Sequence, residues 1–222
     1  MSINLTERIL GSDASIAHSE IIKHSLPWQA IEKISDIISS VINDLGDDFE
    51  KIGEGVYAFR GITIPSSVKI EGRAVICEGA ELRHGAYLRG EVIIGRGAVV
   101  GNSCEIKHSI LYDHACVPHF NYVGNSILSE GAHLGAGAVI SNLKINKSSV
   151  KVSLNGEKID TGLRKMGAVV GAHAEVGCGS VLNPGTLIFP NALIYPLSSV
   201  RGTVMENAIY KSCTEIVEKS FN

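Results

Sequence analysis

The chain has 222 residues, 45% hydrophobic and 19% charged, with 24 glycines and a formal net charge of -3. That length supports one large core with a small appendage, and that charge offers no basic field for nucleic acid or an anionic membrane surface. There is no run of eighteen apolar residues, no signal-peptide pattern over Met1 to Ala14, and no paired metal spacing among Cys77, Cys104, Cys116, Cys178 and Cys213. A reduced, cytoplasmic setting is the expectation.

The first 26 residues carry little pattern, and Thr6 to Leu10 and Ile16 to Ile22 read as short helical or extended pieces. A helix is expected over about 27–45. Ser25 can cap it, Pro27 suits its first turn, and Trp28, Ile31, Ile34, Ile38, Val41, Ile42 and Leu45 share one stripe before Gly46 stops it. The stripe must cover something: an end or face of the domain that follows, or a partner. Residues 47–63 bridge to that domain, so 1–63 form an N-terminal extension.

From Ile64 the spacing changes. Aliphatic residues stand six apart at Ile64, Ile70, Ile76, Leu82, Leu88, Ile94, Val100 and Ile106. After a step of five they resume at Leu111, Val117 and Val123, then at Leu128, Leu134 and Ile140, and again from Val170 to Val200. A period of six fits neither an amphipathic helix nor a simple alternating strand. It fits hexapeptides that each make a short strand and a turn, three closing a triangular coil of about 18 residues with one aliphatic side chain per face pointing inward. Stacked coils bury each other's open edges. The expected fold is therefore an all-β solenoid, a parallel β-helix over 64–204 with a small N-terminal helical extension. Between Asn142 and Met166 the period breaks, and Val150, Val152 and Leu154 followed by Asn155-Gly156 and Lys158 to Asp160 predict a protruding hairpin within an inserted loop, 143–165. Residues 205–222 read as a tail that closes the end or reaches a neighbouring subunit.

Polar residues with chemical use cluster between Arg89 and Lys151. Arg89 and Lys107 are one coil apart, so two like charges are expected one above the other. That arrangement suits a phosphate or carboxylate, or else an ordinary solvated surface. His119, Tyr122 and Asn142 follow, Asn142 again near one turn beyond Tyr122. His119 by itself is either a surface histidine or a base.

The run from Gly101 to Gly124, continued by Leu134 to Asn142, resembles without gaps the C-terminal domain of the bifunctional bacterial glucosamine-1-phosphate acetyltransferase/N-acetylglucosamine-1-phosphate uridylyltransferase, of the hexapeptide-repeat superfamily. Asp160 to Gly171 and Asn183 to Thr186 are similar to related sugar-phosphate nucleotidyltransferases that carry an acetyltransferase solenoid. The resemblance covers about 70–188. It implies a left-handed coil, where the general rule for parallel crossovers is right-handed. It also implies acetyl-CoA as acyl donor, a sugar phosphate as acceptor, glucosamine 1-phosphate above all, and a homotrimer with sites between subunits. His119 matches the family's general base. Arg89 and Lys107 match the holders of the 1-phosphate, and Tyr122 and Asn142 match substrate-binding residues. Lys147 or Lys151 matches a further lysine, and a backbone N–H near Gly137 or Ala138 would serve the thioester oxygen. His133 stands where the family has a second substrate asparagine, while Pro118 and Phe120 flank His119 with bulkier groups than the family's. No Gly-rich pyrophosphorylase loop precedes the solenoid, which makes a separate nucleotidyltransferase an expected partner.

Other readings stay open. His114 and His119, five apart, resemble the zinc ligands of γ-carbonic-anhydrase-like hydratases, with His84 or His108 as the third ligand, although Glu78 stands at that family's distance. A non-catalytic module that binds a sugar phosphate or a nucleotide-sugar enzyme, and an acyltransferase acting on hydroxyls or with acyl carrier protein, are the remaining two. No resident metal is expected.

Overall fold

The computed structural model describes residues 4–219. Four short helices open the chain: α1 (Leu5–Leu10), α2 (His18–Ile21), α3 (Pro27–Glu32) and α4 (Ile34–Asn43). The helix expected over 27–45 is thus two pieces. At Lys33 the backbone departs from helical geometry (φ -95, ψ 16), which divides the apolar stripe between two axes. Leu26, not Ser25, is the cap residue of α3, its N–H donating to the Gln29 side-chain oxygen at 3.2 Å, while the Ser25 carbonyl accepts from the Thr6 N–H. Among the described residues no helix is long and apolar enough to cross a membrane.

The hairpin of β1 (Phe49–Gly53) and β2 (Val56–Phe59) leads into the solenoid, a left-handed parallel β-helix of hexapeptide-repeat type. Its upper coils are built from β3 (Lys69–Ile76), β4 (Glu81–Leu82), β5 (Tyr87–Ile94), β6 (Val99–Asn102) and β7 (Glu105–Leu111). They continue through β8 (Cys116–His119), β9 (Tyr122–Gly124), β10 (Ile127–Leu128), β11 (His133–Leu134) and β12 (Val139–Ile140). The inserted hairpin, β13 (Lys151–Leu154) and β14 (Glu157–Asp160), turns at Asn155-Gly156, both with positive φ, as that dipeptide favours. Lower coils then resume at Ala168–Val170 and end in an antiparallel pair, Ala208–Ser212 with Glu215–Glu218, within the segment read as a tail. The last residues of that expected tail, 220–222, lie outside the described residues.

The ladder read from the sequence is the core. Ile76, Leu82, Leu88, Ile94, Val100, Ile106, Val117, Val123, Leu134 and Ile140 are buried in one cluster with their lower-coil counterparts, and Ile64 and Ile70 pack against it at the open end. Each contributes on the order of 1.5–3 kcal/mol of transfer free energy. Leu88, fully buried, lies mid-ladder, so Leu88→Ala is expected to cost about 2–5 kcal/mol, read as a lower urea midpoint.

The faces differ. On the second and third faces inward and outward residues alternate, but on the first, consecutive residues are buried, as in Ala74–Val75–Ile76 and Val92–Ile93–Ile94. The helices explain this. Val75, Ile93, Ile110, Ile127, Val169 and Leu187 point outward into a second cluster with Trp28, Ile31, Ile34, Ile38 and Val41. A strand covered on both sides reads as a continuous apolar run. The N-terminal stripe therefore covers a face of the solenoid, and no partner is needed to bury it.

Candidate functional site

The third face carries the chemistry. Because Leu88, Ile106, Val123 and Ile140 point inward, their neighbours point out, and parallel register stacks them coil upon coil. Arg89 pairs with Lys107, and Lys107 with Gly124. The Arg89 Nε donates to Glu105 Oε1 at 2.5 Å, and the guanidinium carbon lies 5.8 Å from the Tyr87 ring centroid. Lys107 is held below the usual lysine range, first by burial and then by the positive charges of Lys165 and Arg89. Among the described residues neither Lys107 nor Lys165 has an ion-pair partner. Glu105 offsets part of this charge, and the two lysines leave a place for an anion.

Lys165 was not foreseen. It reaches the cluster because the hairpin returns to pair Lys165 with Leu143, beside Asn142. Lys147 and Lys151, the expected loop lysines, are exposed, and no hydrogen bond or ion pair joins either to Arg89, Lys107, Tyr122 or Asn142. Lys151 sits opposite Asp160 in the hairpin.

Tyr122 and Asn142 do meet. A Cβ placed on Gly124 would stand 2.8 Å from both the Tyr122 hydroxyl and the Asn142 Cγ, so glycine there leaves the space the two side chains share. Burial raises the Tyr122 phenol above its ordinary value, which keeps it a donor. Asn142 is 8% exposed and donates from Nδ2 to Asn125 Oδ1 at 2.6 Å.

His119 ends β8 at the corner between the second and third faces. Its backbone is clamped by Asn121, whose Oδ1 accepts the His119 N–H at 3.0 Å while Nδ2 donates to the carbonyls of Gly135 and Ala138 at 2.8 and 3.1 Å. Asn121 is buried and His119 is exposed, so the turn is fixed and the imidazole is presented outward.

The backbone N–H groups near Gly137 and Ala138 divide between bonded and open. The Gly137 N–H donates to the His119 carbonyl at 2.9 Å and that of Ala138 to Gly135 at 3.1 Å, so both are already used within the chain. Between them, exposed Ala136 has an N–H with no bond among the described residues. His133 is also placed differently from the other substrate candidates. It lies on the second face, in register with Cys116 and Glu175, with Nδ1 2.7 Å from Glu175 Oε2. Within one chain it therefore shares no face with Arg89, Lys107 and Tyr122. His114 stands at yet another corner, against Gly97, and no three potential ligands are grouped for a metal among the described residues.

His108 lies where the third face bends into the first. Burial lowers its pKa below the ordinary 6.5, with Lys107, Lys165 and Arg89 adding to the effect and Glu91 opposing it. Below pH 6.5 the unfolded chain binds a proton that the folded chain resists, so stability should fall as pH drops through that value and level off below the folded pKa. His108→Asn, which keeps a side chain suited to the local φ of 44°, is expected to flatten this slope in urea midpoints measured from pH 7.5 to 5.

The coils define a left-handed parallel β-helix of hexapeptide-repeat type, and parts of the chain are similar to known sugar-phosphate enzymes. Residues 70–160 match a family model described as the GMPPB C-terminal domain. The bifunctional sugar-1-phosphate nucleotidylyltransferase/acetyltransferase of Sulfurisphaera tokodaii is 34% identical over 139 residues, covering 54% of this chain and 35% of that protein. The bifunctional protein GlmU of Methanococcus vannielii is 29% identical over 204 residues, covering 74% and 49%. The chain thus spans less than half the length of these relatives. Among solved structures, a perosamine N-acetyltransferase from Caulobacter crescentus, in complex with CoA and GDP-perosamine, is 16% identical with a TM-score of 0.37, covering 71% of this chain and 56% of that one.

Proposed function

We propose that this protein is an N-acetyltransferase that moves the acetyl group of acetyl-CoA to the amine of an amino sugar bearing an anomeric phosphate, with glucosamine 1-phosphate as the first acceptor to test. One observation carries the reading: Arg89, Lys107 and Lys165 gather without a full set of counter-charges, on the face that also holds Tyr122 and Asn142 and one corner from His119. A phosphate fits the cations, the Tyr122 hydroxyl and the Asn142 amide suit sugar hydroxyls, and the imidazole suits the amine. The acetyltransferase label of the Sulfurisphaera tokodaii relative agrees with it.

In the reaction the neutral amine attacks the thioester carbonyl carbon. A C–N bond forms, and the oxygen takes up negative charge that the Ala136 N–H can meet. The imidazole of His119 takes the proton the nitrogen must lose. The C–S bond then breaks and the thiolate leaves, taking a proton to become CoA thiol. Assembly as a homotrimer completes the donor groove in this proposal, and a separate nucleotidyltransferase uses the product. The test is thiol release from acetyl-CoA with glucosamine 1-phosphate or galactosamine 1-phosphate. Acceptor-dependent release is expected, and release no faster than hydrolysis with both would overturn a sugar 1-phosphate as acceptor.

A further inference from the structure

The three cations of the third face are not equivalent. Arg89 gives its Nε to Glu105, and its two terminal nitrogens have no hydrogen bond among the described residues. Lys165 is exposed and reaches in from the end of the insertion. Lys107 is half-buried, one coil from Arg89 and beside Lys165.

Other lysines are placed to keep their protons. Lys23, Lys33, Lys69 and Lys211 each face a carboxylate, which favours the ammonium and withholds the lone pair a nucleophile needs. Lys51 and Lys158 are exposed to water, which solvates the ammonium. Lys107 has the opposite surroundings. Burial and the charges of Lys165 and Arg89 all disfavour its ammonium, while Glu105, which opposes them, is held by the Arg89 Nε. A lysine desolvated beside other cations has a larger neutral fraction and is an activated nucleophile.

The same neighbours choose the electrophile. An acyl phosphate carries a dianionic leaving group, and the free guanidinium nitrogens of Arg89 and the Lys165 ammonium suit its oxygens. The acyl end is then left to the place beside Gly124, which follows Lys107 in register. Glycine opens that place to the Tyr122 hydroxyl and the Asn142 side chain. The phenol, kept protonated by burial, can donate to a carbonyl oxygen as charge develops on it.

We infer that Lys107 is an acylation site: a small acyl phosphate seated on Arg89 and Lys165 transfers its acyl group to Nζ, and the amide that results closes the anion site. The Nζ lone pair attacks the carbonyl carbon and a C–N bond forms. The C–O bond to the phosphate breaks, and the proton shed by nitrogen leaves on the phosphate as monohydrogen phosphate. No further reactant is needed. The amide removes one cation from the third face, so the phosphate of an acceptor loses one of its holders. That consequence rests on the N-acetyltransferase reading, but the acylation does not.

The test uses the full chain, incubated with acetyl phosphate at neutral pH while the acetylation of each lysine is followed by peptide mass spectrometry. Lys107 is expected to react faster than Lys51 and Lys158 by about tenfold or more, although it is the least exposed of the three. Exposure alone predicts the reverse order, so a Lys107 that reacts no faster overturns the assignment. Inorganic phosphate as competitor is expected to slow Lys107 and to leave Lys51 and Lys158 unchanged. Protection of all three alike, or of none, overturns the seating of the phosphate. Lys165→Met should bring Lys107 down to the rate of the exposed lysines, and Lys165→Arg, which keeps the charge, should preserve its lead. An unchanged rate in Lys165→Met removes the cluster from the chemistry. Acetyl-CoA serves as a second donor, and a preference for Lys107 that only acetyl-CoA produces overturns the acyl phosphate. Thiol release with glucosamine 1-phosphate is then measured on protein acetylated at Lys107, against protein shielded by inorganic phosphate during acetylation and freed of it. Release lower by about tenfold or more is expected from the loss of a charge-assisted contact, and equal release overturns the closing of the site. If unmodified protein releases no thiol, the sugar 1-phosphate reading falls alone, and phosphate-protected acetylation of Lys107 still supports the acylation site.

Discussion

Replacing His119 with alanine should lower acceptor-dependent thiol release by about 10²- to 10⁴-fold, the range general-base catalysis supplies, while the unfolding midpoint stays where it was. The two halves of this expectation have separate causes. Release falls because an amine that has attacked a carbonyl must shed a proton, and His119 presents an exposed imidazole at the corner of the third face while the Glu105 carboxylate is held by Arg89. Lys107 and Lys165 are cations, and the Tyr122 phenol is held protonated by burial. Stability persists because the turn is held by main-chain atoms. The His119 N–H is bound by Asn121 and its carbonyl by Gly137, and alanine keeps both. Measuring release and melting on the same preparation checks the pair. A variant that keeps its activity, or one that loses activity only because it unfolds, would remove His119 from its proposed role.

The second large effect is expected at Gly101. A Cβ there would lie 1.6 Å from the Pro118 carbonyl oxygen, a main-chain atom in the adjacent coil with no room to retreat, because β6 and β8 are paired on both sides of it. Gly101→Ala should therefore push the strand before His119 outward, at a cost of about 3 kcal/mol or more by the scale of overpacking. Thiol release should fall with it, since the displaced residue adjoins His119. Gly46→Ala is the control: nothing lies within 4 Å of its added methyl. Thermal melts of both variants would show a large drop for the first and none beyond error for the second.

The ladder from Ile76 to Val200 was legible because each coil repeats the same demand, one aliphatic side chain per face, and a period repeated this often has few other meanings. The stacking of Arg89 on Lys107 followed from the same count. What the count could not reach lies where the repeat is interrupted. Lys165 enters the site because the hairpin at Asn155-Gly156 sends the chain back beside Leu143, and the distance along the sequence hides that return. His133 was read from a resemblance, while its pairing with Glu175, 42 residues away, depends on an insertion that lengthens one coil. The two-piece helix hinges on a single residue, Lys33, whose side chain gives no warning. For Ala136 a signal existed. In a turn closed by Gly135 and Ala138, the first central N–H points away from the chain, and attention to turn geometry rather than to the glycine would have found it.

The insertion has a further consequence. Arg89 and Lys107 belong to coils locked on both sides, but Lys165 belongs to a segment that leaves the solenoid and is packed back onto it, with Val150 and Val152 fully buried in the second cluster and the Thr203 hydroxyl donating to the Ser153 carbonyl. The third charge of the site is thus delivered by an arm whose place depends on that packing. An occupant that draws on Lys165 relies on the docked arm, so by linkage any loosening of that packing lowers the occupant's affinity. Substitutions far from any ligand, at Thr203 or in the turn at Asn155-Gly156, would then tune binding without touching a single contact, which makes the hairpin a rheostat set apart from the chemistry it serves.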